Sequence, residues 1–281
     1  MSKKKRVISL CVIVGLMILA LTGIILIGFK GGHSESIGEV MKDAVLHEEN
    51  KISFFGIMSV NPAVISAYTV TAVLLLFALV LRIAVIPRFK NIPGRFQLLI
   101  EEWVGMFDGL ARSNSPHRNR FLGLYLFSAG TYIFVGTCFE LFGLQAVTTT
   151  GLSIAMPAPL SDINGAIAMG CMSYLVILSG GIAGNGFKGV ANTLKDFSLP
   201  ISMSFRLFGA LLSGLLVTEL VYYYVSLSFV LPVFVGIMFT LLHALIQAYV
   251  LTMLTGLFYG EVSERHHKAP KSNKKIKQAA A

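Results

Sequence analysis

A few polar side chains stand where only apolar residues are expected. Arg206 lies in Pro200-Ile201-Ser202-Met203-Ser204-Phe205-Arg206-Leu207-Phe208-Gly209, near the start of a long apolar run, and Glu219 follows on the same run. Glu140 sits in an earlier run, and Asp162 and Asn164 open another. His243 and Gln247 are four residues apart in the last run, so they project from one face of a helix. A charge within a membrane span costs about 2.5–3.5 kcal/mol even on a lenient scale, so such groups face a partner or water and mark ion or anion paths. Snorkelling or helix pinning is the plain alternative, and for Glu140 it weighs equally. Arg206 lies six residues past Pro200, inside its run, which favours a presented charge. Gly209 and Ser213, and Ala210 and Gly214, form small-xxx-small pairs beside it that admit another helix closely.

These residues need membrane helices to hold them. The chain has 281 residues, 55% hydrophobic and 13% charged, with a mean hydropathy of +0.75. Soluble domains run near one quarter charged, and each bilayer crossing needs about 20 apolar residues. A polytopic helical membrane protein follows, with no large water-soluble catalytic domain. Cys11, Cys138 and Cys171 lie in apolar runs without paired spacing, which argues against disulfides and structural zinc. The net charge of +9 is concentrated at the ends, in Lys3-Lys4-Lys5-Arg6 and from Arg265 to Lys277. Flanking apolar spans, such clusters set orientation; nucleic-acid binding is not indicated.

Six spans are expected, the last two long and tilted: Val7–Phe29, Pro62–Leu81, Phe121–Val147, Ile163–Gly184, Phe197–Val225 and Phe229–Gly260. The first is read as a retained span, because its apolar run is long and no small-x-small cleavage site follows. Residues 95–112 place Phe96, Leu99, Ile100, Trp103, Phe107 and Leu110 on one face, as in an amphipathic helix at the membrane surface. Residues 188–196 read as a short polar connection. With both termini inside, Arg82, Arg88, Lys90, Arg95, Lys188, Lys195 and the C-terminal tail are cytoplasmic, and only Lys30, Lys42 and Lys51 are external. The expected organisation is an N-terminal extra span and external segment (1–50), a membrane domain (51–264) and a basic tail (265–281).

PISMSFRLFG at 200–209 resembles the arginine-bearing helix of subunit a of the F-type rotary ATP synthases. ALIQAYVLTMLTGLFYGE at 244–261 is similar to that family's final helix, APLSDINGAIAM at 158–169 to its Pro-x-(Ser/Thr/Ala)-Asp-x-Asn element, and PGRFQLLIEEWVGMFDG at 93–109 to its membrane-surface helix. The four elements occur in the family's order. The resemblance implies an all-α, ion-translocating stator subunit in the cell inner or plasma membrane. In that family two aqueous half-channels meet a ring of c-subunits bearing carboxylates. It implies the essential arginine at Arg206, the facing glutamine at Gln247, and outer-channel polar groups at Asp162 and Asn164. The implied partners are the c-ring, peripheral-stalk b subunits, the rest of the synthase and membrane lipid. No cofactor is implied, and catalysis belongs to partner subunits.

The chain also departs from the family. Ala210 stands where the family usually has Asn, Leu215 where it commonly has Glu or His, and Thr240 where it often has His or Glu. Glu140-Leu141-Phe142-Gly143 replaces an Asn-Leu-Leu-Gly-like stretch. Glu219 and His243, each about a turn from a vacated position, are expected to serve as displaced stations of the outer path. With Arg206 opposite Gln247 on antiparallel helices, His243 is expected roughly 6 Å outward, level with Leu211, and Glu219 roughly 20 Å outward. Glu219 would lie about 220° around its helix from Arg206, turned toward Asp162.

Two other classes compete. A secondary transporter could use Arg206 for an anionic substrate, but the inverted repeats common in such proteins are not visible. An intramembrane enzyme would want HExxH, GxSxG or paired in-span aspartates, and none occurs; His266-His267 belongs to the solvated tail. No GxxxxGK[ST] loop for a nucleotide occurs either.

Overall fold

A computed structural model describes residues 52–54, 58–147, 153–223 and 231–264, with isolated helical positions 15, 22 and 38. The expected first span and the basic tail lie outside the described residues, so the sixth crossing is not counted. Among the described residues five helical segments are long and apolar enough to cross a membrane: Pro62–Arg88, Asn119–Phe142, Ile163–Asn185, Ser198–Thr218 and Val235–Ser263. The protein is an all-α membrane protein. Among the described residues the strands form two short antiparallel pairs, β1 (Ile52–Phe54) with β2 (Met58–Val60), and β3 (Gln145–Val147) with β4 (Ser153–Ala155).

Helix α1 (Pro62–Val80) starts where Asn61 caps it and Pro62 occupies the first turn. Its buried residues, Pro62, Ala63, Ser66 and Val70, all fall in its first half. A π turn (Leu81–Val85) and a 3-10 turn (Ile86–Arg88) carry the chain out of the span. Helix α2 (Arg95–Asn114) is the amphipathic element, too polar to count as a crossing. Its apolar face is divided. Phe96, Leu98 and Leu99 stay exposed, whereas Phe107 and Ala111 are fully buried against α3 (Asn119–Cys138). Trp103 donates Nε1–H to Thr131 Oγ1 at 3.1 Å. Protein packing, besides lipid, therefore holds the C-terminal half of this helix.

Helix α3 ends in a 3-10 turn closed by Gly143 at φ 58°, a conformation glycine adopts without steric cost. Helix α4 (Ile163–Asn185) is capped by Asp162 and stopped by Gly186 at φ 59°. The segment read as a polar connection is a helix, α5 (Phe187–Lys195), folded back on α4. The Tyr174 hydroxyl donates to the Thr193 carbonyl at 3.1 Å, and Gly181 and Gly189 allow the close approach. Its short amphipathic pattern is hard to tell from a loop by composition alone.

The last two helices are α6 (Ser198–Tyr223, 26 residues) and α7 (Leu231–Ser263, 33 residues). At 1.5 Å per residue α7 is about 50 Å long, beyond a hydrocarbon core of about 30 Å, so it must tilt. The same holds for α6. Its Phe208 shares a cleft wall with Ile163, the first residue of α4. From Phe208 the helix runs on to Tyr223, about 22 Å further. Those apolar turns remain in hydrocarbon only if α6 lies obliquely to α4.

Helix α7 is the hub, packing on α2, α3, α4 and α6. It runs antiparallel to α3, where Thr252 meets Gly130 and Leu126 meets Gly256. It runs parallel to α4, where Tyr259 covers Gly180 and Ser263 covers Gly184. Asn185 Nδ2–H donates to the carbonyls of Val262 (3.0 Å) and Glu264 (2.8 Å), tying the C-terminal ends of α4 and α7.

Candidate functional site

Arg206 lies on α6 with a buried face on one side and an open one on the other. Met203, Ser204, Leu207 and Leu211 are buried toward α4 and α7. Ser202, Arg206, Gly209 and Ser213 are exposed and follow one another at helical spacing, with Phe205 exposed beside them. A Cβ placed on Gly209 would meet nothing within 4 Å. Packing among the described residues therefore does not require small side chains on this stripe, although it surrounds the one cation of the helix. Among the described residues Arg206 has no hydrogen bond or ion pair. Its guanidinium is thus presented outward from a membrane-length helix, where its cost is offset only by water or an anionic partner.

On α7 the polar groups point the other way. Gln247 is buried, at 6% exposure, and its Oε1 has no hydrogen-bond partner. His243, half-buried on the same face, packs against Gly214 of α6, with Nδ1 3.5 Å from the position of an added Cβ. The Phe239 ring flanks the imidazole at 6.0 Å. Gly214 lies eight residues beyond Arg206, so the His243 ring is about 12 Å from the arginine along α6 toward its C-terminal end, not 6 Å. Helical side chains lean toward their own N-terminus, which for His243 is away from Gln247, and this accounts for part of the difference. Eight residues also turn Gly214 about 80° from Arg206, which places the arginine at the edge of the α6–α7 seam. No hydrogen bond joins Arg206 to Gln247.

Asp162 and Asn164 stand at the first turn of α4. Asn164 is exposed. The Asp162 carboxylate has two partners: Oδ1 accepts from Asn61 Nδ2 at 3.0 Å, and Oδ2 accepts from the Gly165 backbone N–H at 3.3 Å. Glu140 is half-buried in the turn after α3, and the Glu219 side chain lies outside the described residues. Asp162 and His243 therefore belong to different junctions, the first between α1 and α4, the second between α6 and α7.

Two polar residues escaped the reading of the sequence. Thr137 is buried on α3 with its Oγ1 unpaired; a threonine in an apolar run gives no local signal. Asn61 was detectable as a cap, since Asn-Pro before an apolar run is a helix-start pattern. Its bond to a residue 101 positions away was not.

With this geometry in hand, the likeness to known proteins is specific. A family model described as ATP synthase A chain matches residues 65–260, which contain three of the five described membrane-length helices whole and all but three residues of each of the other two. An ATP synthase subunit a of Cereibacter sphaeroides is 27% identical over 189 residues, covering 63% of this chain and 72% of the relative. A chloroplastic ATP synthase subunit a of Stigeoclonium helveticum is 36% identical over 124 residues, covering 40% and 49%. The chloroplastic subunit a of Bigelowiella natans is 34% identical over the same length. The match takes in the arginine-bearing helix, the oblique last helix and the Asp162 corner together, and the chain belongs to the ATP synthase A chain family.

Proposed function

We propose that this chain is the ion-translocating stator subunit of an F-type ATP synthase, set against a rotating ring whose helices carry an ionisable carboxylate. The observation that carries the reading is Arg206, an outward-facing cation on a stripe of small residues that nothing among the described residues fills. A fixed positive charge in low dielectric favours the ionised form of an arriving carboxylate, so the carboxylate releases its ion to one half-channel before taking another from the opposite side. The same charge repels a cation moving directly between the half-channels. Gln247 lines the interior behind the seam, and His243, Asp162, Asn164 and Glu219 are assigned to the outer path. Partner subunits of the synthase carry the nucleotide chemistry, and the ring and the b subunits of the peripheral stalk are the neighbours. The ring carboxylate and its surroundings select proton or sodium. No observation favours the transporter reading.

The stripe gives a direct test in the assembled complex. With a cysteine placed near the ring carboxylate, Ser202→Cys and Ser213→Cys are expected to form disulfides with the ring under mild oxidation. Ser204→Cys, on the buried side of α6, is expected not to. Equal cross-linking at all three positions, or none at Ser202 and Ser213, would remove the stripe as the ring-facing surface.

The cytoplasmic placement of both termini belongs to the same reading and rests on the loop charges. A membrane-impermeant thiol reagent added outside should label a cysteine at Val45 and spare one at Ser272. The opposite pattern would invert the topology.

A further inference from the structure

We infer that Asn61 is a positioning residue, acting through Asp162 on the corner from which α4 meets the arginine-bearing helix. Asn61 makes two bonds at once. Its Oδ1 accepts from the Ala63 backbone N–H at 3.0 Å and caps α1, while Nδ2 donates to Asp162 Oδ1 at 3.0 Å. Asp162 does the same for α4 through Oδ2 and Gly165. One side-chain hydrogen bond thus joins the N-terminal caps of two membrane helices. The carboxylate uses one oxygen for each helix, so its direction is fixed by both.

The surroundings explain why the bond matters. Helix α1 is buried only along its outer half, against α3 and the turn Pro159–Ser161 that leads into Asp162. From Val73 onward it exposes Leu75, Leu76, Phe77, Leu79 and Val80, so little else restrains it. Gly165 sits so close to the Pro159 carbonyl that an added Cβ would lie 2.8 Å from it, leaving this corner little room to rearrange. Ile163 and Ile167 then wall a cleft with Ser204, Phe205 and Phe208, the residues on either side of Arg206. A shift at Asp162 is passed to the segment that aims the guanidinium.

The functional part of this inference rests on the ion-translocating reading, whereas the bond itself does not. Asn61→Asp places two carboxylates at hydrogen-bond distance and replaces the bond by repulsion. The exchange variant Asn61→Asp/Asp162→Asn restores donor and acceptor with the roles reversed, and both residue types serve equally as caps. In the whole complex, Asn61→Asp is expected to slow ATP-driven ion pumping at least about fivefold, the scale of one lost hydrogen bond. It should also lower the temperature at which the chain dissociates. The exchange variant is expected to recover the dissociation temperature, whereas its pumping also lacks the Asp162 carboxylate of the outer path. A lowered dissociation temperature in Asn61→Asp with pumping at the wild-type rate would show a purely structural clasp and overturn the positioning role. No recovery of the dissociation temperature in the exchange variant, or wild-type behaviour of Asn61→Asp in both readouts, would overturn the clasp. The dissociation temperature needs no ion flow, so this arm stands or falls apart from the assignment of function.

Discussion

Arg206→Ala is expected to reduce ion-driven ATP synthesis to background while the complex still assembles. Arg206 has no partner among the described residues, so its removal breaks no contact seen in the fold. Exposure also means that no cavity opens in the core. What disappears is the charge on the small-residue stripe. A ring carboxylate entering that apolar seam without a cation favours its neutral form, because desolvation disfavours the charged one. It then passes without releasing its ion, and the barrier between the half-channels is weakened. Passive ion conduction uncoupled from ATP should therefore persist or rise as synthesis vanishes. Arg206→Lys keeps a charge but loses the planar fork of donors, and should be severely impaired as well. His243→Ala and Glu219→Gln, which remove the proposed stations and leave the cation, should slow turnover and shift its pH dependence. Wild-type synthesis in Arg206→Ala membranes would sink the assignment of this residue.

The second large effect belongs to packing. Gly260→Ala on α7 is expected to destabilise the subunit by about 3 kcal/mol, at the upper end for overpacking. An added Cβ there would collide with the backbone carbonyl oxygen of Asn114, which closes α2. A flexible side chain could swing away, but a helix end cannot move without disturbing its neighbours. The Asn114 side chain donates to the Leu110 carbonyl at 2.8 Å and reaches Gly256 as well, so the junction is tied from two sides. Gly236→Ala is the matched control, since a Cβ there meets nothing within 4 Å and alanine is the better helix former. Thermal dissociation of detergent-solubilised complex should separate the two variants clearly. Equal stability would mean that α2 does not dock on α7 as described.

Hydropathy and charge along the chain determined the number of apolar runs, the side each loop prefers and the oddity of Arg206. These are properties of contiguous residues: a run of about 20 apolar side chains must leave water whatever its neighbours do. The helix at 95–112 was legible for the same reason, its period being local. The excessive length of the last run already implied tilt. Local pattern could not supply the relations between helices. Asn61 and Asp162 are 101 residues apart, and nothing near either names the other. The meeting of His243 with Gly214 depends on how two oblique helices cross, so counting residues from an assumed Arg206–Gln247 pair misplaced it. The division of polar groups, Arg206 outward and Gln247 inward, likewise appears only when α6 and α7 are packed. In hydrocarbon the hydrophobic effect fixes that each helix is inserted but scarcely distinguishes one helix neighbour from another. Close contacts at Gly130, Gly180, Gly184 and Gly260 make that choice, and their energies exist only between surfaces already brought together in three dimensions.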